Sequence, residues 1–173
     1  MKNYKLILSA ALLSLSACSV NKVKNTSTSA DSAKNQASIP AASASLFAKM
    51  KIKGSIKAGD PIELKFTVYN DADTSRQFCK WHTPFEPLMS KYLDVKDASG
   101  QEMQYKGPMA KRIMPPPASS YIKMNPKDSL SATIDLLKAY DITKPSKYTI
   151  IYVGQNMSGL TVKDSVEFVY EVK

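Results

Sequence analysis

The stretch Ile62-Glu63-Leu64-Lys65-Phe66-Thr67-Val68 decides how the chain folds. Its large apolar residues fall at every second position and alternate with Glu63, Lys65 and Thr67. A period of two is the signature of a strand with one buried and one solvated face. Phe66, at the centre, is a core residue on this reading. Ala58-Gly59-Asp60-Pro61 turns the chain into the strand and Asn70-Asp71-Ala72-Asp73 turns it out.

Short runs of the same kind lie on both sides. Met50, Ile52 and Ile56 form a first strand. After the second turn, Phe78-Cys79-Lys80-Trp81-His82 alternates as a strand that ends at Thr83-Pro84-Phe85-Glu86-Pro87. Trp81 and Cys79 share its apolar face, so Trp81 is expected to anchor the core from a central strand. Further strands are expected at Tyr92 to Lys96 and at Gln101 to Tyr105. Tyr121 to Met124 and Ser129 to Ile134 should pair around Asn125-Pro126-Lys127-Asp128. Leu136 to Tyr140 suits a helical turn, and Lys147 to Val153 and Val162 to Val172 close the domain. Seven to nine short strands separated by turns predict an all-β fold, an immunoglobulin-like antiparallel β-sandwich. Tyr148, just after Lys144-Pro145-Ser146-Lys147, stands where a tyrosine corner would bond its hydroxyl back to the preceding loop.

The N-terminus reads differently. Lys2 and Lys5 precede a short apolar run, Leu6 to Leu13, and then Leu15-Ser16-Ala17-Cys18. The apolar run is too short to span a bilayer. The four residues resemble the bacterial lipobox, in which the cysteine becomes the acylated first residue. Residues 1–17 are then a lipoprotein signal peptide and Cys18 the lipidation site. Ser19 stands where an Asp would hold the protein in the inner membrane, so the resemblance implies an outer-membrane anchor facing the periplasm. Residues 18–45, rich in Ser, Ala, Asn, Thr and Lys, lack apolar periodicity and are expected to be a disordered tether. A flexible chain of that length spans roughly 30 Å. The sandwich domain is placed at 46–173.

Charge and composition bound the function. The formal net charge is +9, yet basic residues are spread and nowhere interleaved with aromatics. Nucleic-acid binding needs such a footprint, so none is expected. There is no H-E-x-x-H, C-x-x-C, P-loop or G-x-S-x-G. The single histidine, His82, has no nucleophile elbow to serve, so no catalytic residue and no enzymatic activity are assigned. With Cys18 acylated, Cys79 has no partner and is expected as a small buried hydrophobe. No cofactor is expected. The alternative is periplasmic copper binding through His82, Cys79 and Met residues, because thioether, imidazole and thiolate suit Cu(I). The methionines form no Met-x-Met cluster, and scattered Met is usually core filler.

One family resemblance joins several segments. They are Lys80-Trp81-His82-Thr83-Pro84-Phe85-Glu86, Tyr105-Lys106-Gly107-Pro108 with Lys111-Arg112, Ala132-Thr133-Ile134-Asp135-Leu136 with Tyr140-Asp141, and Tyr148-Thr149-Ile150 with Tyr152. Their order and spacing resemble the N-terminal, non-catalytic region of peptidyl-lysine metalloendopeptidases, the deuterolysin or aspzincin group, over most of residues 60–153. Phe85 and Pro87 depart from that group's usual Thr-Pro-Leu-Glu-Gly. The zinc motif is absent, and the chain stops where the protease would begin. The resemblance implies a free-standing propeptide-like module that binds a zinc metalloprotease as inhibitor or folding helper, or another envelope protein. Its expected contact is the loop Gly107 to Pro117, with Met109, Lys111, Arg112, Ile113 and Met114 reaching the partner. Pro115-Pro116-Pro117 would stiffen that loop and lower the entropy lost on docking. The plainer reading tucks Ile113 and Met114 against the sandwich edge.

Overall fold

In a computed structural model, residues 45–172 are described. The expected signal peptide, Cys18 and all but Ser45 of the expected tether lie outside the described residues. The strands are β1 (Leu46–Lys51), β2 (Ser55–Lys57), β3 (Glu63–Asn70), β4 (Arg76–Cys79), β5 (Leu93–Lys96), β6 (Tyr121–Met124), β7 (Ser129–Asp135), β8 (Ser146–Tyr152), β9 (Thr161–Val162) and β10 (Val166–Glu171). A single-turn helix α1 (Gln155–Ser158) precedes β9.

Two four-stranded sheets form the sandwich, in the orders β7-β3-β1-β9 and β2-β10-β8-β5. A two-stranded sheet, β4-β6, stands apart. Most neighbours are antiparallel, but β1 with β9 and β2 with β10 are parallel. The described residues hold ten strands rather than seven to nine. The first and last expected runs each break in two, while 101–105 contributes only isolated bridges, Lys96 to Glu102 and Tyr105 to Tyr140.

The alternation in β3 becomes a facing. Ile62, Leu64, Phe66 and Val68 are all fully buried. Opposite them stand Tyr148, Ile150 and Tyr152 of β8, Phe168 and Tyr170 of β10, and Leu93 and Val95 of β5, all buried. Phe66 and Tyr152 carry this contact across the sheets, with ring centroids 5.2 Å apart. On the outer face, Phe47 and Tyr69 stack at 5.3 Å instead, with the Lys49 ammonium near both rings.

One correction concerns a connection, and one expected helical turn is present. Residues 125–128 do not close a hairpin: β6 pairs with β4 and β7 with β3. The buried Asn70 side chain explains the crossing. Its amide donates to the carbonyls of Thr74 (3.0 Å) and Asn125 (2.7 Å), and its oxygen accepts from Ala72 N–H. The turn chemistry of Asn125–Asp128 thus serves a passage between sheets. The helical turn after β7 is a short 3-10 turn, Leu136–Lys138, capped by Asp135, whose carboxylate accepts from Leu137 N–H (3.1 Å).

The tyrosine corner is present: the Tyr148 hydroxyl donates to Lys144 O at 2.7 Å. Tyr148→Phe keeps the ring stacked on Phe168 and removes only this bond. It should cost about 1 kcal/mol in chemical denaturation. No measurable change would mean that water replaces the carbonyl's partner without loss.

Candidate functional site

The corner after β4 is built by its own side chains. Lys80 N–H donates to Ser120 O (2.8 Å), and there the strand stops. Thr83, fully buried, donates its hydroxyl to Lys80 O (2.5 Å) and accepts from Phe85 N–H (3.2 Å). His82 lies between them in the left-handed region, at φ 59°. Trp81 and His82 are therefore turn residues and not the end of a strand. The alternation through Phe78–His82 runs past Cys79, where β4 ends and the Thr83 hydroxyl folds back onto Lys80 O.

Aromatic packing seals the corner onto the sandwich. Phe85 meets Phe78 at 5.3 Å and Phe66 at 6.4 Å, both edge-to-face. The Tyr152 hydroxyl reaches His82 O (3.0 Å) and the Ser158 hydroxyl (2.6 Å). A Cβ on Gly154 would lie 2.5 Å from His82 O, so that glycine is needed for the close approach.

Arg112 closes the arrangement. Its guanidinium lies over Trp81, 4.7 Å from the ring centroid, and its Nη2 donates to Glu86 Oε1 at 2.6 Å. The same carboxylate oxygen accepts from His82 N–H at 3.1 Å. Glu86 is nearly buried and Arg112 largely so. Trp81 is buried, as expected, but under an arginine rather than within the core between the sheets. Arg112 is a structural clamp, which corrects its expected role as a free recognition charge. Its planar fork both stacks on an aromatic face and pairs with a carboxylate, which Lys111 cannot do.

The clamp fixes one loop to the corner. Ala110 N–H donates to Met89 O (2.7 Å), and the Tyr105 hydroxyl is within reach of Pro108 O (3.1 Å) and Leu88 O (3.3 Å). From this base the loop displays Met109 (70% exposed), Ile113 (85%) and Met114 (59%), with Lys111 exposed among them. Ile113 and Met114 do not tuck against the sandwich.

Burial pushes the Cys79 thiol up, which disfavours the thiolate. Burial, then the Arg112 charge, holds His82 below its usual value. Cys79 is free and buried. Among the described residues no three His, Cys, Asp or Glu side chains gather as a metal site. Met50 and Met124 are core residues, and Met103 packs against the core.

The immunoglobulin-like domain model matches residues 49–166. The chain belongs to the immunoglobulin-like domain family. This immunoglobulin-like domain is also similar to an uncharacterized secreted protein of the fungus Arthroderma benhamiae, 29% identical over 121 residues. The match covers 66% of this chain and 62% of the relative, so the chain spans less than two thirds of that protein's length. The relative is a secreted protein.

Sequence reasoning missed Glu86 and Thr83. Neither belongs to a motif with chemistry of its own. The signal was the spacing of Thr83, Pro84 and Glu86 after a strand, which suits a side-chain-stabilised corner.

Proposed function

We propose that this immunoglobulin-like domain is a non-enzymatic protein-binding module, held at the outer membrane through Cys18 and facing the periplasm. The observation that carries the reading is the loop on its clamp. Three large apolar side chains stand in solvent at Met109, Ile113 and Met114, on a segment whose foot is fixed by Arg112 and Glu86. Exposed apolar clusters mark partner surfaces, and a loop held before docking loses less entropy on binding. The resemblance to the propeptide-like region of peptidyl-lysine metalloendopeptidases supports a zinc metalloprotease as partner. The module then acts as inhibitor or folding helper.

The test is binding to a purified metalloendopeptidase of that group. Met109→Ser/Ile113→Ser/Met114→Ser should weaken binding at least about tenfold, roughly 1.4 kcal/mol, at unchanged melting temperature. Equal binding by the variant removes the loop from the site. No binding by the unsubstituted protein removes the metalloprotease.

The anchor has its own test. Cys18→Ser should abolish acylation and shift the protein from the membrane fraction to the soluble fraction. Retention of that variant in the outer membrane would contradict the lipobox reading.

A further inference from the structure

β7 is an edge strand of the sandwich sheet β7-β3-β1-β9. Two hydrogen bonds bracket its ladder with β3: Asn70 N–H to Asp128 O and Leu136 N–H to Ile62 O, both 2.9 Å. Both follow the same register as the pairs from Glu63↔Asp135 to Tyr69↔Ser129. In an antiparallel ladder, closely bonded pairs recur at every second residue. Leu130, Ala132 and Ile134 therefore spend their backbone groups on β3. Ser129, Ser131, Thr133 and Asp135 aim theirs outward. Ser129 N–H is taken by the Asp128 side chain at 2.7 Å. Among the described residues the others meet no further strand, since β7 pairs with β3 alone.

Sheet edges are usually guarded by shortness, Lys, Pro or a covering segment. The other edges of the two large sheets follow that rule. β9 has two residues and β2 has three, including Lys57. β5 is covered by 101–103, where Met103 N–H donates to Val95 O at 2.7 Å. β7 has seven residues with no Lys, Arg or Pro. Its one charge, Asp135, turns a carboxylate oxygen back to Ile62 N–H and Leu137 N–H, each at 3.1 Å. Its core-side residues are also incompletely covered: Leu130 is 39% exposed, and Ala132 and Ile134 are half-buried.

The sequence of this edge is complementary to itself. Turned antiparallel about Ala132, Ser129-Leu130-Ser131-Ala132-Thr133-Ile134-Asp135 places Leu130 opposite Ile134 and Ser131 opposite Thr133. In that register the outward N–H and C=O of Ser131 face those of Thr133 in the other copy, and Asp135 N–H faces Ser129 O. No like charges come opposite one another. Alanine sits at the two-fold axis, in a non-bonded pair where side chains approach closest. We propose that β7 pairs with β7 of a second copy of this chain, joining two four-stranded sheets into one of eight strands across an isologous interface.

Ala132→Cys tests the register in the full-length chain. Cα atoms of such a non-bonded pair lie about 4.5 Å apart, within the roughly 4.4–6.8 Å that a disulfide bridges. Mild oxidation should give a reducible species of twice the monomer mass. The unsubstituted chain, which keeps Cys18 and Cys79, sets the background. Val169→Cys, on an exposed position of β10, should add nothing to it. Thr133→Pro removes an outward N–H and no bond to β3, and prolines are tolerated on such edges. Combined with Ala132→Cys it should abolish the cross-link at unchanged melting temperature, and alone it should leave a monomer in sedimentation velocity. Absence of the Ala132 cross-link overturns the proposal. So does a cross-link that survives Thr133→Pro, which would mark random collision.

Discussion

Phe66→Ala should bring the domain close to unfolding. Phe66 is fully buried at the middle of β3, between β1 and β7, and touches Tyr152 of the opposite sheet and Phe85 of the corner. Removing a buried phenylalanine ring costs about 3–5 kcal/mol, part from lost transfer energy and part from the cavity. That is a large share of the roughly 5–15 kcal/mol that stabilises a domain. The melting temperature should fall by on the order of 10 °C or more. Because Phe85 rests on the same ring, the Trp81–Pro87 corner should loosen too, visible as a change in Trp81 fluorescence. Phe47→Ala is the control. That ring stacks on Tyr69 on the outer face, and its loss should cost about 0.5–1.5 kcal/mol. Similar costs for the two would mean that β3 does not separate a buried from a solvated face.

Arg112→Ala should have the second-largest effect. The Glu86 side chain is only 6% exposed, and the substitution would leave its carboxylate without the guanidinium that faces it. Breaking such a pair from one side costs about 3 kcal/mol or more. It would also uncover Trp81 and release the foot of the 107–117 loop. Calorimetry should show the loss of stability, and trypsin should cleave after Lys111 much faster than in the unsubstituted protein. The double change Glu86→Gln/Arg112→Met removes both charges and should recover much of the loss. An exposed pair sets the scale: Lys127 with Asp73, at 62% and 90% exposed. Its loss should cost no more than about 1 kcal/mol. A cost that small for Arg112→Ala would show that the loop is not clamped.

These two substitutions also separate what is local in this chain from what is not. Phe66 was legible because a strand's facing repeats every two residues and Ile62 to Val68 kept the period unbroken. The clamp was not. Glu86 and Arg112 are 26 residues apart, and no local pattern relates them. Lys111 and Arg112 looked like equivalent cations in the sequence. Only the tertiary arrangement set Arg112 between a carboxylate and an indole and left Lys111 in solvent.

The sequence by itself determined the all-β class, the buried face of β3 and the tyrosine corner at Tyr148, because each depends on neighbours within a few residues. It also marked the 107–117 segment as irregular, since three consecutive prolines cannot pair in a central strand. The tertiary structure decided the pairing of β4 with β6, the crossing of 125–128 between sheets, and the parallel partners β9 and β2. Where β4 meets β6 and where 125–128 crosses, groups far apart in the chain took partners that local chemistry had left open. Asn70 took the carbonyl of Asn125, 55 residues away, and Ser120 took the N–H of Lys80. A buried polar group must find a partner somewhere, and which one it finds depends on what the fold brings near.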